Sequence, residues 1–173
     1  MLTLVITGAP GVGKSTVCAL LAHRLPKAAH IEVDELQKMI VTGGHWPSAG
    51  TPESYQQLLL RTRNAADIAS NFVGAGIAVV LEEVVATAEQ ISILDRVLGP
   101  TGLAYVVLTA ARDTVLERDA GRAKHTAANY LGVEDLIKDA LDGRAITITS
   151  TDQPPEETAA AVQSAVPGMG WTS

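Results

Sequence analysis

The chain has little of several residue types that define whole classes of protein. Aromatic side chains make up 3% of its 173 residues, and the formal net charge is −6. Proteins whose main partner is nucleic acid carry a basic excess and often aromatic platforms for bases. The composition therefore argues against that class, and an anionic ligand must be bound by a local site.

Cysteine and long apolar runs are also scarce. Cys18 is the only cysteine, which excludes an internal disulfide and favours a reducing compartment. No apolar stretch approaches the roughly 20 residues that a membrane-spanning helix needs. The first apolar run ends within about seven residues and lacks a basic segment before it, unlike a secretory signal. We therefore expect a cytoplasmic protein without a membrane partner.

What the chain does have is a regular alternation of apolar runs and helical patterns. The apolar or β-branched runs predict five strands, at 2–7, 29–33, 77–85, 103–110 and 145–149. Helical spacing predicts helices at 14–24, 34–40, 53–74, 88–98, 134–141 and 155–166. Strands separated by helices in this way are typical of βαβ units, in which helices cover both faces of a parallel sheet. The length fits one α/β domain, and we expect the tail at 167–173 to be loose.

A glycine-rich segment, GAPGVGKST, follows the first predicted strand. Its first eight residues match the P-loop pattern G-x-x-x-x-G-K-[ST]. Glycine recurs in this pattern because backbone N–H groups can turn toward a phosphate only where no side chain obstructs them. Lys14 is expected to reach the β and γ phosphates of a nucleotide, and Ser15 to offer its hydroxyl to Mg²⁺. The expected phosphate-binding residues are Gly8, Ala9, Pro10, Gly11, Val12, Gly13, Lys14, Ser15 and Thr16.

Two adjacent carboxylates, Glu82 and Glu83, lie within the third predicted strand, directly after its apolar stretch at 77–81. A P-loop site usually has a carboxylate at the end of a neighbouring strand that helps to hold the metal ion. We expect Glu82 to share the metal with Ser15, and Glu83 to lie on the opposite face of the strand. The alternative is that the strand simply ends in water, which would keep both charges solvated.

Asp34 follows the second predicted strand, at the edge where ligands bind in a doubly wound sheet. A carboxylate there can accept the proton of an attacking hydroxyl, as phosphoryl transfer to an alcohol requires. The alternative is structural, because Asp34 and Gln37 also form a D-x-x-Q capping box for the next helix.

A charged segment, RDTVLERDAGRAK, follows the fourth predicted strand. Arg118 and Arg122 are four residues apart and share one face of a helix. Arginines on a mobile segment can stabilise the charge of a transferring phosphoryl group, so both are candidate catalytic residues. Because Glu117 and Asp119 are interleaved with them, a solvated helix is the alternative.

The histidines carry less information. His45, with Trp46, is a candidate for lining an acceptor pocket in a second glycine-rich loop, TGGHWPSAGTP at 42–52. None of the four histidines shows metal-ligand spacing, and we expect each to be a surface or loop residue: His23, His30, His45 and His125.

Together these residues resemble the P-loop small-molecule kinases, the group that holds adenylate, shikimate, gluconate and adenylylsulfate kinases and chloramphenicol phosphotransferase. The loop GAPGVGKST is very close to the loop of that group, and the order of elements fits along almost the whole chain. The resemblance implies a three-layer sandwich with a five-stranded parallel sheet in the order 2-3-1-4-5. It also implies ATP and Mg²⁺, with transfer of the γ-phosphoryl group to a hydroxyl of a metabolite, nucleoside, nucleotide or antibiotic.

The same resemblance implies roles by position. Asp34 matches the acidic residue that binds or activates the acceptor hydroxyl, Arg118 the arginine near the adenine and phosphates, and Arg122 a lid arginine. Within one domain spanning residues 1–173, it implies an acceptor-side insertion at about 42–75 and a lid at about 112–130. The chain departs from the antibiotic-phosphotransferase branch, its nearest branch, at the Glu82-Glu83 pair, where aspartate is expected.

Other functions use the same loop. A GTPase is disfavoured because the sequence has no N-K-x-D motif for reading guanine. A P-loop ATPase, a nucleotide-binding regulator, or a nucleotide-binding protein without catalysis stays open as the alternative. We expect a monomer or a homodimer.

Overall fold

The predicted alternation of strands and helices is present in the computed structural model, which describes residues 2–115 and 132–172. The strands are β1 Thr3–Gly8, β2 Ala28–Glu32, β3 Ala78–Glu82, β4 Leu103–Thr109 and β5 Ala145–Thr149. The α-helices whose bounds lie within the described ranges are α1 Lys14–His23, α2 Val33–Lys38, α3 Pro52–Gly74, α4 Ala88–Leu98, α5 Val133–Ala140 and α6 Pro155–Ala165. Predicted boundaries agree within one or two residues, except that β3 ends three residues before the predicted 85.

All five strands pair in parallel in the order β2-β3-β1-β4-β5, which confirms the predicted order. The register pairs Ile6 of β1 with Glu82 of β3, and Glu82 with Glu32 of β2. Because parallel strands end at a common edge, the segments that follow these three strands lie side by side there.

Helices cover both faces of the sheet. Alternate strand residues point to opposite faces, so Ile6 and Val80 pack against α1 and α6, whereas Val5 and Leu81 pack against α3 and α4. These four side chains are 0% exposed. The result is the predicted three-layer sandwich.

Helix α3 crosses one face of the sheet and carries side chains to the carboxyl edge of the sheet. It begins with a capping box, in which Thr51 Oγ1 accepts from the Ser54 N–H at 3.1 Å and Ser54 Oγ accepts from the Thr51 N–H at 3.0 Å. The small residues Ala65 and Ala69 are fully buried against the sheet, which allows a close approach. Although α3 has 23 residues, neither it nor another helix of the described ranges is long and apolar enough to cross a membrane.

The C-terminal tail is held in place, so the prediction of a loose tail was wrong. Met169 is 7% exposed and packs in the core beside α1 and α6. Trp171 Nε1 donates to the Val166 carbonyl at 2.8 Å, and the Thr172 N–H donates to the Arg24 carbonyl at 2.8 Å. The glycines of the tail suggested a flexible segment, but the contacts with Arg24 and with the core are made with residues far away in the sequence, and such contacts leave no local pattern.

Candidate active site

The segment between β1 and α1 forms a tight loop that only glycine permits at two positions. Gly8 has φ of 148° and Gly11 has φ of 93°. A Cβ at Gly8 would lie 2.3 Å from the Leu108 carbonyl oxygen, and one at Gly11 would lie 2.8 Å from Val115 Cγ1. Both the dihedral angle and the space therefore require glycine.

The loop presents its positive groups inward. Lys14 Nζ donates to the carbonyl oxygens of Gly8 at 2.9 Å and Ala9 at 3.2 Å, and the side chain is 9% exposed. Helix α1 begins at Lys14 after Gly13. Because Gly13 has no side chain to cap the helix, the backbone N–H groups of the first turn can bind an anion. From behind, Ser150 Oγ donates to the Val12 carbonyl at 2.9 Å and fixes the loop. This cradle fits a polyphosphate.

Glu82 lies beside the hydroxyl of the loop. Ser15 Oγ donates to Glu82 Oε1 at 2.7 Å, and His30 Nε2 lies 3.4 Å from Oε2. Burial alone would raise the pKa of Glu82, but the contacts with His30 and Ser15 and the charge of Lys14 outweigh burial and lower the pKa. An ionised carboxylate next to a hydroxyl is an oxygen donor set that Mg²⁺ accepts, so the arrangement fits a metal ion at the position expected.

Glu83 points to the other face of the sheet, as expected, and lies in a polar network that the sequence did not predict. Its Oε1 accepts from Thr62 Oγ1 at 2.7 Å and from Gln90 Nε2 at 3.2 Å, and lies 3.7 Å from Arg61 Nε. Burial raises the pKa of Glu83 to about 7, although the charge of Arg61 and these hydrogen bonds act to lower it. The side chains of Glu82 and Glu83 are 14% and 0% exposed, so the strand does not simply end in water.

Asp34 lies in the first turn of α2 and contacts the same arginine. Arg61 Nη1 donates to Asp34 Oδ1 at 3.1 Å, with side-chain exposures of 5% for Arg61 and 68% for Asp34. Arg61 therefore bridges an exposed carboxylate and a buried one. The sequence interpretation missed Arg61, because it is 27 residues from Asp34 and follows no local motif.

The alternative reading of Asp34 as part of a capping box was wrong. The N-cap of α2 is Glu32, two residues earlier, so Asp34 is already inside the helix. Gln37 instead donates through Nε2 to the His45 carbonyl at 3.3 Å and to Gln57 Oε1 at 2.9 Å. The D-x-x-Q spacing is therefore coincidental, and the side chain of Asp34 is directed to Arg61.

The glycine-rich loop is fixed against α3 beside this arginine. Gln57 Oε1 accepts from the His45 N–H at 2.7 Å, and Gln57 Nε2 donates to the Gly43 carbonyl at 2.8 Å. The adjacent Trp46 ring has its centroid 6.0 Å from Cζ of Arg61, the outer limit of a cation–π contact. Trp46, Arg61 and Asp34 thus line one side of the sheet edge.

The structure describes some of the remaining predicted residues and not others. Arg118, Arg122 and His125 lie outside the described residues. His23 is exposed on α1 and His45 is in the loop, as expected. His30 differs from expectation, because it lies within β2 with its side chain 17% exposed. A histidine inside a strand leaves no spacing signal when its neighbours come from other elements.

Comparison with known proteins bears on the fold. A protein-family model described as an AAA domain matches residues 4–138. No curated protein sequence matches the chain significantly.

Several solved structures share the architecture. A sugar kinase from Janibacter sp. HTCC2649 has a TM-score of 0.71 at 19% identity, over 96% of this chain and 95% of that chain. Shikimate kinase from Aquifex aeolicus has a TM-score of 0.65 at 18% identity, over 96% and 97%. The tunicamycin resistance protein of Deinococcus radiodurans has a TM-score of 0.64 at 19% identity, over 99% and 98%. At these identities the likeness establishes the fold, and the expected resemblance to P-loop small-molecule kinases is confirmed at that level.

Proposed function

Because the chain belongs to the AAA domain family and has a P-loop kinase-like fold, we propose that it is an ATP-dependent phosphotransferase. It would move the γ-phosphoryl group of ATP to a hydroxyl of a small molecule. The observation that carries the proposal is the end of β3. There Glu82 contacts the phosphate loop through Ser15, and Glu83 contacts Arg61, which also binds Asp34.

The donor side would use the cradle of residues 8–16. The N–H groups of the loop and of the first turn of α1 would bind the phosphates, and Lys14 would exchange its carbonyl partners for the β and γ phosphates. Ser15 and Glu82 would hold Mg²⁺, with Glu82 in place of the aspartate of the antibiotic-phosphotransferase branch. Bound Mg²⁺ supplies charge neutralisation to the phosphates.

The acceptor side would use Asp34 as the base. Its exposed carboxylate can meet a small molecule, while the hydrogen bond from Arg61 fixes its orientation. Asp34 would accept the hydroxyl proton as the hydroxyl oxygen bonds to the γ phosphorus. The bond from that phosphorus to the bridging oxygen breaks at the same time, and ADP leaves.

Neighbouring elements would complete the site. Trp46 offers an apolar face beside Arg61, which suits the ring of a sugar, a nucleoside or an antibiotic. The acceptor-side insertion would span about 42–75 and the lid about 112–130, with Arg118 and Arg122 delivered to the phosphates on closure. A monomeric or homodimeric protein in a reducing cytoplasm is part of the same proposal.

The names of the similar structures guide the choice of acceptors to test. Their printed names include a sugar kinase, a shikimate kinase and a tunicamycin resistance protein, which supports hydroxylated metabolites and antibiotics as the first compounds to examine. The alternative, a P-loop ATPase or nucleotide-binding regulator, keeps the same donor side but needs no Asp34–Arg61 pair.

The deciding experiment measures ADP release from Mg·ATP in the presence of a panel of sugars, hydroxy acids, nucleosides and antibiotics. A phosphotransferase is expected to release ADP faster with one chemical class and to form its phosphate ester, detected by mass spectrometry. Turnover that no compound changes, with ATP binding confirmed by calorimetry, would favour the regulator or ATPase instead.

A further inference from the structure

Glu82 belongs to a cluster of three potential metal ligands. Three side chains from three elements meet there: Cys18 of α1, His30 of β2 and Glu82 of β3. Their ligand atoms, a thiol sulfur, an imidazole nitrogen and a carboxylate oxygen, all lie within 4.8 Å of one another. Cysteine, histidine and glutamate are the side chains from which zinc sites are built.

Two of these ligand atoms are close together but do not form a hydrogen bond with each other. His30 Nε2 and Glu82 Oε2 lie 3.4 Å apart. Both atoms are buried, and neither has a hydrogen-bond partner among the residues that the structure describes. Buried polar atoms of this kind require an explanation, because an unsatisfied buried group is destabilising.

We propose that Cys18, His30 and Glu82 form a binding site for one thiophilic divalent cation, of which Zn²⁺ is the representative. The metal would bind the sulfur, the imidazole nitrogen and Glu82 Oε2, with water as the fourth ligand. Binding exchanges the thiol proton for the metal, so one proton is released for each cation bound.

The separations fit a tetrahedral centre. With Zn–N and Zn–O bonds of about 2.0 to 2.2 Å at a tetrahedral angle, the nitrogen and oxygen are about 3.4 Å apart. The sulfur would be about 3.6 Å from the nitrogen. Because all the ligand atoms lie within 4.8 Å of one another, Cys18 Sγ would have to move toward the nitrogen by no more than about 1.2 Å. Rotation about χ1 of Cys18 supplies such a shift without moving the backbone.

The donor set discriminates between metals. Mg²⁺ is a hard cation that takes oxygen ligands and keeps several waters. It therefore binds weakly to a thiol and an imidazole. Thiophilic cations bind both. The cluster is therefore distinct in chemistry from the Ser15–Glu82 pair, although it shares one carboxylate with that pair.

Glu82 belongs both to the metal cluster and to the pair with Ser15, so metal binding is expected to affect catalysis; this expectation rests on the proposed function. Oε1 accepts from Ser15 at 2.7 Å, and a cation on Oε2 would draw the carboxylate toward His30 and lower its charge. Occupation of the cluster is therefore expected to inhibit phosphoryl transfer, and added Mg²⁺ should not fully relieve the inhibition. Metal binding itself requires neither ATP nor an acceptor, so it can be tested independently.

The test uses Co²⁺ as a spectroscopic substitute for Zn²⁺ in the nucleotide-free protein. The chain has a single cysteine, so a thiolate-to-cobalt charge-transfer band can only report Cys18. We expect this band, with the visible bands of tetrahedral cobalt, to saturate at one Co²⁺ per chain and to disappear when Zn²⁺ is added. Cys18→Ala should abolish the band, and His30→Gln should weaken Co²⁺ binding by at least about tenfold.

His23→Gln is the matched control, because His23 is exposed on α1 and outside the cluster. This variant should keep the full band. Thermal unfolding of each metal-free variant separates loss of the site from loss of the fold. The proposal is overturned if the folded parental protein shows no charge-transfer band, or if His30→Gln binds Co²⁺ as tightly as the parental protein does.

Discussion

Glu82 and Glu83 are neighbours in the chain, but their side chains point to opposite faces of the sheet. Glu82 accepts from Ser15 beside the phosphate loop, and Glu83 accepts from Thr62 of α3. Strand geometry produces this division, because successive side chains alternate. The end of one strand therefore connects the phosphate-binding side to the side that carries Arg61.

The clearest prediction concerns the lysine of the phosphate loop. Lys14→Ala should lower phosphoryl transfer by at least about 100-fold, since it removes the preorganised charge that would stabilise the phosphates. The measurement is ADP release under saturating acceptor, with circular dichroism to verify the fold. Lys27→Ala, at an exposed lysine, should behave as the parental protein. Parental activity in Lys14→Ala would contradict the assignment of the loop.

Asp34→Asn should retain ATP binding and lose transfer. Removal of a general base typically lowers the rate by about 10² to 10⁴-fold, and the amide keeps the shape of the side chain. Because the capping reading is excluded, little effect on the unfolding temperature is expected. Asp67→Asn, at an exposed position of α3, is the control. Transfer at the parental rate in Asp34→Asn would remove Asp34 from the mechanism.

The buried pair of Arg61 and Glu83 should show strong coupling. Arg61→Met removes the cation beside a carboxyl that is 0% exposed, and breaking such a pair typically costs about 3 to 5 kcal/mol. In the Arg61→Met, Glu83→Gln double variant no buried charge is left unpaired, because the remaining partner of Arg61, Asp34, is 68% exposed; much of this loss should therefore be recovered. Urea unfolding at about pH 8 of the parental protein and the three variants measures the coupling. Additive effects would show that the two groups do not interact.

The pKa of Glu83 gives stability a defined pH dependence. Its folded-state pKa is raised from 4.5 to about 7, so folding favours the protonated form. This contribution to stability is fully present below pH 4.5 and is lost as the pH rises through about 7. Between about pH 5 and 8 the parental protein should lose a few kcal/mol of unfolding free energy relative to Glu83→Gln. Parallel curves for the two proteins would contradict the raised pKa.

Much of the fold could be predicted because its signals are local. The P-loop spacing, the apolar runs and the helical patterns each lie within a few residues, and they give the sheet order once the resemblance is recognised. The position of Glu82 beside Ser15 also followed, since the phosphate loop after β1 and the end of β3 were expected at the same edge of the sheet.

The residues that sequence reasoning missed act over long distances. Arg61 looks like an ordinary charged residue of α3 until the fold places it between Asp34 and Glu83. His30 is a single histidine in a strand until Cys18 and Glu82 come within 4.8 Å of its donor atom. No local sequence pattern predicts these contacts, because each partner lies on a different helix or strand.

The length of the Glu82 side chain should determine whether its carboxylate can hold Mg²⁺ together with Ser15. Glu82→Asp restores the residue expected in the antibiotic-phosphotransferase branch, but its carboxylate is one methylene shorter. It should no longer reach Ser15, which Glu82 contacts at 2.7 Å, so the Mg²⁺ concentration for half-maximal transfer is expected to rise about tenfold or more. Titration of ADP release with Mg²⁺ at fixed ATP measures the effect, and Glu89→Asp at an exposed position of α4 is the control. An unchanged Mg²⁺ requirement would mean that Glu82 does not hold the metal, and the role of Ser15 would then have to be fulfilled without a carboxylate from β3.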